Sequence, residues 1–177
     1  MKSGRSSRGF TLLETLVAAL LIGIVALAAV PLLSSQNPTK LDVAAAEVGN
    51  ALRFAFSEVE RIGGCVWVDG SVSGHLQVWS GCTSSGWVVV SDPLTKRALD
   101  VDASGPAFSG QVSMVPKFVT GGTPYKRLMI GPGTTQLRAY DGTNLGPLEA
   151  GSGVVLTLGS QSVTVALNET TGLVTLP

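Results

Sequence analysis

Residues that carry chemistry are scarce in this sequence. The 177 residues include one histidine, His75, and two cysteines, Cys65 and Cys82. A zinc site generally needs four protein ligands, or three and an open position, so this set predicts no metal site. The chain also lacks a G-x-S-x-G elbow, a P-loop and an H-E-x-x-H sequence. We therefore predict no catalytic residues, no cofactor and no enzyme activity.

Charge of either sign is also scarce, because Asp, Glu, Lys and Arg make up only 14% of the chain. Twelve basic and twelve acidic residues cancel, so no overall field attracts nucleic acid. The first nine residues are an exception, with Lys2, Arg5 and Arg8 and no acid. Without them nine bases (12 − 3) face twelve acids, and the rest of the chain is weakly acidic.

A run of 24 residues, from Phe10 to Leu33, is almost wholly apolar. A helix rises about 1.5 Å per residue and a bilayer core is about 30 Å thick, so the run predicts one transmembrane helix. Basic residues precede the run and none follows it until Lys40. This bias predicts a cytoplasmic N-terminus and a body on the far side of the membrane, in the periplasm or outside the cell.

Glu14 lies within this apolar run, where a carboxylate costs on the order of 2.5–3.5 kcal/mol at mid-membrane and less near the interface. One interpretation is an acid tolerated near the lipid headgroups. The other is an acid with a cationic partner. A cut before Phe10 would create an α-amine four residues from Glu14, about 6 Å along a helix axis. That amine would be a suitable partner, in the same chain or in a neighbour.

Ordinary secretion is an alternative explanation of the N-terminus. Ala26-Leu27-Ala28 fits the A-x-A pattern of a signal-peptidase site. The apolar part of a secretory signal is typically about 7–15 residues long and free of acids, however. The run from Phe10 to Leu33 is longer and contains Glu14, so we favour an uncleaved helix over a secretory signal.

A second helix is predicted after the apolar run. Pro31 and Asn37-Pro38 are expected to kink or briefly end the first helix. Apolar residues then recur at alternating spacings of four and three, which indicates one amphipathic stripe packed on the protein's own sheet: Leu41, Ala45, Val48, Leu52, Ala55, Val59 and Ile62. The charged residues between them suit a solvated face: Asp42, Glu47, Arg53, Glu58, Glu60 and Arg61. Gly63-Gly64 is expected to end this helix.

Short β-like runs separated by Gly, Pro, Asp and Asn follow the helix, which predicts a sheet of antiparallel hairpins. The runs are residues 65–68, 75–79, 87–90, 111–119, 127–130, 136–140, 154–158, 162–167 and 173–176. Residues 121–124 and 141–144 are expected to be exposed loops. Asp100 and Asp102 would repel each other on one face of a strand, so we place them in a solvated loop. An isolated cysteine pair in an oxidising compartment predicts a Cys65–Cys82 disulfide.

The segment Arg8-Gly9-Phe10-Thr11-Leu12-Leu13-Glu14 resembles the leader motif of type IV pilins and pseudopilins. The resemblance implies a prepilin peptidase that cuts after Gly9 and methylates the new amine of Phe10. It also implies that Glu14 pairs with the amine of an adjacent subunit during assembly. The implied partners are other pilin or pseudopilin subunits, the peptidase, an inner-membrane assembly platform and the lipid bilayer.

The order of helix and strands is similar to that of the general secretion pathway protein H and FimT group (GspH/FimT) of minor subunits. Residues 85–92, Ser-Gly-Trp-Val-Val-Val-Ser-Asp, resemble a strand of that group. Some FimT-like pilins contact DNA through basic residues near the C-terminal strand, but Gly172-Leu173-Val174-Thr175-Leu176 has none. Direct DNA binding is therefore not expected, and the other basic pairs, at 96–97 and 126–127, are small for a phosphate-binding surface.

These observations predict an α+β fold in which a long N-terminal helix packs on an antiparallel β-sheet body. Residues 1–9 would be the leader, 10–33 the transmembrane and assembly helix, 34–64 the amphipathic helix and 65–177 the β-rich body. The predicted function is that of a structural subunit of a type II secretion pseudopilus or a type IV pilus, serving protein secretion or DNA uptake. The alternative is a singly anchored adhesion module that binds through the loops at residues 121–125 and 141–145.

Overall fold

The computed structural model describes residues 12–34, 36–82, 86–93, 95–103, 105, 108, 111–133 and 137–177, with the backbone alone for residues 26–34 and 36–38. The chain divides into two compact units, Met1–Gln36 and Asn37–Pro177. The predicted leader, including Gly9 and Phe10, lies outside the described residues.

Two helices are described before the strands, and Ser35 between them lies outside the described residues, so the predicted kink or break stays a prediction. Helix α1 is Leu12–Ser34 and helix α2 is Gln36–Ile62. The first helix continues past Pro31 for three residues. Pro38 lies in the first turn of α2, where a missing N–H group breaks no helical hydrogen bond.

Helix α2 ends at the predicted glycine. Gly63 has a positive φ of 64°, and its N–H group donates to the carbonyl oxygen of Val59 at 2.9 Å. A left-handed residue of this kind satisfies a carbonyl at the end of a helix, and glycine adopts it without steric cost. The glycine pair therefore ends α2 as the sequence predicts.

The predicted apolar stripe of α2 is buried from Leu41 to Val59, and Ala44 and Ala51 widen it. Two expectations for this helix are wrong. Ile62 is exposed, because it lies in the last turn beside the terminating glycine. Glu58 is buried at 5% exposure rather than solvated, and it accepts a hydrogen bond from Nε of Arg61 at 2.7 Å. That ion pair gives the buried carboxylate a partner.

Twelve strands follow α2 among the described residues. In chain order they are β1 Val66–Asp69, β2 His75–Ser80, β3 Val88–Val89, β4 Asp100–Asp102, β5 Ser113–Thr120, β6 Thr123–Tyr125, β7 Arg127–Ile130, β8 Leu137–Tyr140, β9 Leu145–Pro147, β10 Gly153–Leu158, β11 Gln161–Leu167 and β12 Val174–Thr175. The first sheet has the order β3-β2-β1-β7-β8-β9, with β4 also paired to β2. The second sheet has the order β12-β11-β10-β5-β6.

An α+β fold with antiparallel strands is thus confirmed, but the body contains two sheets where one was predicted. Three short strands were also missed: β4, β6 and β9. The expectation that Asp100 and Asp102 lie in a solvated loop is wrong, because both belong to β4. Strand β4 pairs with β2 in the register His75↔Asp102 and Gln77↔Asp100, which brings polar partners to both carboxylates.

Helix α2 and the inner faces of both sheets share one hydrophobic core. The two sheets approach closely where β1 ends. A Cβ atom added to Gly70 would lie 2.1 Å from Cγ of Pro116 in β5, so only glycine fits there. The core is therefore continuous through the body and fixes how the sheets meet.

Most of the edge strands are short. Strands β3 and β12 have two residues each, and β4, β6 and β9 have three each, with Pro124 in β6 and Pro147 in β9. Short edges and edge prolines hinder pairing with a strand of another chain. Strand β11 differs, because β12 pairs only with its residues 166 and 167, so residues 161–165 lie along the edge of the described sheet.

Candidate assembly site

The acidic residue of the candidate assembly segment lies at the start of a helix. Glu14 is in the first turn of α1 and is exposed. The neighbouring Thr15 donates from its hydroxyl to the carbonyl oxygen of Leu12 at 2.8 Å. The N-terminal end of a helix carries a partial positive charge, so an acid is electrostatically favoured there. The backbone thus places Glu14 at the end of α1 that is nearest to the predicted cleavage position.

The side chains of α1 described after Thr15 are apolar on every side of the helix. The exposed large hydrophobic residues are one, two or three positions apart rather than along a single stripe: Leu16, Val17, Leu20, Leu21, Ile22, Ile24 and Val25. Leu12, before Glu14, has 82% of its surface exposed. A helix that is apolar all round is stable when other helices or lipid surround it. This helix therefore needs apolar partners on more than one side.

Among the described residues, no helix meets both the length and the hydropathy that a membrane crossing requires. The membrane span from Phe10 to Leu33 stays a prediction.

The two cysteines form a disulfide that ties the start of β1 to the end of β2. The same junction is held by the N–H group of Gly81, which donates to the carbonyl oxygen of Cys65 at 2.9 Å. The indole N–H of Trp67 donates to the carbonyl oxygen of Gly81 at 2.8 Å. The disulfide therefore belongs to a locally well-connected corner of the first sheet.

Aromatic rings cover the outer face of the first sheet beside this corner. The Trp67 ring lies 5.0 Å from that of Trp87 and 5.5 Å from that of Tyr140, and Trp79 also contacts Trp87. Arg127 lies over the Trp87 ring at 5.8 Å, and its Nε donates to Asp69 at 2.9 Å. Stacking and cation–π contacts stabilise this small second core, so the outer face of the first sheet is largely occupied by its own chain.

His75 lies between the two carboxylates of β4, on the same outer face. Its Nδ1 is 3.0 Å from Oδ2 of Asp100, and its Nε2 is 3.8 Å from Oδ1 of Asp102. Gln77 also donates to Asp100 at 3.3 Å. Among the described residues, no group of three or more His, Cys, Asp and Glu side chains has a geometry that could hold a metal ion. The contacts give His75 a structural role in attaching β4.

The C-terminal segment packs against α2. Gly172 has a positive φ of 70°, and an added Cβ atom there would lie 2.5 Å from the ring of Phe56. A guanidinium nitrogen of Arg53 donates to the carbonyl oxygen of Val174 at 3.3 Å. Arg53 of α2 thus places a basic side chain beside the C-terminal strand, a contact that the linear sequence of that strand does not reveal. The expectation of no direct DNA binding stays a prediction.

Both predicted exposed loops are tight turns. Gly121 and Gly122 connect β5 to β6, and their N–H groups donate to the carboxylate of Glu149 at 2.7 and 2.9 Å. Asp141 accepts from the backbone N–H groups of Asn144 and Thr143 in the turn between β8 and β9. These hydrogen bonds, that of Asn144 first, hold the pKa of Asp141 below its usual value. Both turns are held by carboxylates, and strand β6 begins directly after the first.

The N-terminal segment matches a known protein family model. The model of the prokaryotic N-terminal methylation motif matches residues 4–30, which include Gly9, Phe10 and Glu14. No curated protein and no solved structure matches the chain. The match supports the type IV pilin and pseudopilin class, with processing by a prepilin peptidase, assembly with other subunits, and a location in a membrane or a fibre.

Proposed function

We propose that this protein is a minor subunit of the GspH/FimT type in a type IV pilus or a type II secretion pseudopilus. A prepilin peptidase removes residues 1–9 and methylates the amine of Phe10. The mature chain then enters the fibre through its N-terminal helix. Its role is assembly rather than catalysis.

The observation that carries this proposal is that the methylation motif overlaps α1, a helix with an acid in its first turn and apolar side chains on all sides. The motif covers residues 4–30, and α1 begins at Leu12 within it. The helix has an acid in its first turn and exposed apolar side chains on all sides. A segment with these properties suits transfer from lipid into a bundle of helices, because both surroundings are apolar and little hydrophobic free energy changes.

Glu14 sets the position of the subunit along the fibre in this account. It is the one charged residue between Arg8 and Lys40 in the sequence. The methylated amine of a neighbouring Phe10 would carry a positive charge. In the apolar surroundings of a fibre its attraction to the Glu14 carboxylate would be strong at one relative height of the two helices. The contact therefore selects one axial register from many that pack equally well.

Substitution of Glu14 tests the proposal. In the native host, Glu14→Ala should leave cleavage after Gly9 intact, because the peptidase acts before assembly. It should reduce incorporation into the fibre at least tenfold, measured by quantitative immunoblotting of sheared fibres. Glu60→Ala, which removes an exposed acid from α2, is the matched control and should be incorporated normally. Normal incorporation of the Glu14→Ala variant would contradict the proposed role of this residue.

A further inference from the structure

The turn between β11 and β12 contains an Asn-x-Thr sequence, Asn168-Glu169-Thr170. Asn-x-Ser and Asn-x-Thr, with any residue except proline in the middle, are the acceptor sequences for N-linked sugars on the surface of exported proteins. Asn37-Pro38-Thr39 has the same spacing, but its central proline excludes it. Neither Asn50 nor Asn144 has a hydroxyl residue two positions later, so Asn168 is the one asparagine in the sequence that meets the requirement.

The structure places this sequence at the surface, where a transferase can reach it. Asn168 and Thr170 are both exposed. The N–H group of Gly172 donates to the carbonyl oxygen of Asn168 at 3.0 Å, and the N–H group of Asn168 donates to that of Leu173 at 3.0 Å. The acceptor sequence therefore lies in a short closed turn, outside the paired residues of both strands.

Three hydrogen bonds hold the carboxamide oxygen of Asn168. Its Oδ1 accepts from the N–H groups of Thr170 and Thr171 at 3.0 and 2.8 Å. It also accepts from the hydroxyl of Thr171 at 2.9 Å. In the part of the chain that the structure describes, Nδ2 of Asn168 donates to no other group. The nitrogen that would receive a sugar is thus unengaged, while the oxygen is fixed by donors.

These donors favour reaction at Nδ2. An amide nitrogen is a poor nucleophile, because its lone pair is delocalised into the carbonyl group. Removal of one Nδ2 proton moves negative charge onto Oδ1, and fixed donors stabilise such a charge. The three hydrogen bonds on Oδ1 of Asn168 therefore lower the cost of activating the nitrogen.

A second turn in the same chain separates what the fold needs from what the reaction needs. Asp141 accepts from the N–H groups of Thr143 and Asn144 in the same way, without an amide nitrogen. A turn of this kind needs only an acceptor oxygen. Among the described contacts, neither Nδ2 of Asn168 nor the hydroxyl of Thr170 helps to close its turn. The acceptor sequence thus includes two groups that the fold does not use.

We propose that Asn168 is a site of N-linked glycosylation, with a lipid diphosphate-linked sugar as the donor and a membrane transferase of the host as the catalyst. Nδ2 attacks C1 of the first sugar, and the bond between C1 and the phosphate oxygen of the carrier breaks. The carrier leaves as the lipid diphosphate, and one Nδ2 proton passes to a base of the transferase. The inference rests on the proposed function only for the location of the body outside the cytoplasm.

Mass spectrometry of the full chain from its native host tests the inference. The chain should be heavier than the processed polypeptide by a glycan, and electron-transfer fragmentation should place the added mass on Asn168. A chain with the mass of the polypeptide alone would overturn the inference. So would a glycan on Thr170 or Thr171, because that sugar would be O-linked.

Substitutions in the acceptor sequence provide a second test. Thr170→Ala should abolish the added mass, whereas Thr170→Ser should retain it, because serine keeps the hydroxyl that the transferase recognises. Asn168→Gln should also abolish it, and Asn50→Gln, which changes an exposed asparagine of α2, is the matched control and should retain it. Equal melting temperatures of the two Thr170 variants show that both fold. A glycan that persists in Thr170→Ala contradicts the inference.

The N-terminal mass of the same samples separates the two proposals. A chain that begins at methylated Phe10 but has no sugar on Asn168 defeats the inference and leaves the proposed function standing. A chain that has a sugar on Asn168 but begins elsewhere supports the inference and defeats the proposed function.

Discussion

The two helices of this protein are similar in length but differ in where their apolar side chains lie. Helix α1 has 23 residues, and its described side chains after Thr15 are apolar on all sides and largely exposed. Helix α2 has 27 residues and buries one stripe in a core shared with both sheets. Leu20 in α1 is 60% exposed, whereas Leu52 in α2 is fully buried.

This difference indicates different partners for the two helices. The partners of α2 belong to its own chain, so their packing contributes to the stability of the body. Helix α1 has no such core within its own unit among the residues whose side chains are described, and under the proposed function we expect lipid or other subunits to cover its apolar surface. The predictions below test this division, from the largest expected effect to the smallest.

Truncation of one leucine in each helix should affect the stability of the body very differently. Leu52→Ala removes a fully buried side chain and should lower the free energy of unfolding of the body by about 3 kcal/mol, which is about 10 °C in melting temperature. Leu20→Ala is the matched control in α1 and should leave the melting temperature of the body unchanged. Circular dichroism of the full chain in detergent measures both. A loss of several degrees with Leu20→Ala would show that α1 shares the core of the body.

Removal of the disulfide should destabilise the body by a comparable but smaller amount. The bond joins residues 17 apart in sequence, and the entropy model gives about 3 kcal/mol for a loop of about 15 residues. The Cys65→Ser, Cys82→Ser variant should therefore unfold at lower urea concentration, with about 2–3 kcal/mol less stability. Ser80→Ala, which removes a nearby hydroxyl that donates to the carbonyl of Val88, is the control and should lose much less. Equal losses in the two variants would mean that the disulfide adds nothing.

A methyl group at the junction of the sheets should have a moderate effect. Gly70→Ala places a Cβ atom against the ring of Pro116, which cannot rotate away, and should cost about 2 kcal/mol. Gly64→Ala is the control, because the nearest atoms there are 3.7 Å away at the end of the Ile62 side chain. Urea unfolding of residues 37–177 compares the two. A Gly70→Ala body as stable as the Gly64→Ala body would contradict the close approach of the two sheets.

The smallest predicted effect concerns pH. The folded state lowers the pKa of Asp141 from its usual value of 3.8, so its contribution to stability is present above about pH 4 and is lost as the pH falls through the folded pKa. Wild-type protein should lose slightly more stability between pH 6 and pH 3 than Asp141→Asn, measured by urea unfolding. Thr143→Ala keeps the carboxylate and its backbone donors and should behave as wild type. If the Asp141→Asn variant lost more stability than the wild type between pH 6 and pH 3, the pKa of Asp141 would not be lowered by folding.

The parts of the fold that could be predicted from the sequence are those that depend on local pattern. The stripe of α2, its end at Gly63 and the longer strands follow from spacing and from turn residues. Strands β4, β6 and β9 were missed because each is only three residues long and contains Asp, Pro or Gly, residues that usually mark the ends of strands. The division into two sheets was also missed, because it depends on which distant strands pair.

In the candidate site, too, some features could be predicted from local sequence and others depend on tertiary packing. The motif around Gly9, Phe10 and Glu14 is linear and could be recognised directly. The burial of Glu58 with Arg61 depends on how the helix packs, and the cluster around His75 depends on the pairing of β2 with β4.

The most direct test of the account is the N-terminal mass of the protein purified from membranes of its native host. Cleavage after Gly9 with one methyl group on the amine of Phe10 is the predicted result. It would establish processing by a prepilin peptidase and leave α1 intact for assembly. A chain that begins near Ala29 would indicate ordinary secretion, would remove most of α1, and would contradict the assignment of this protein to a fibre.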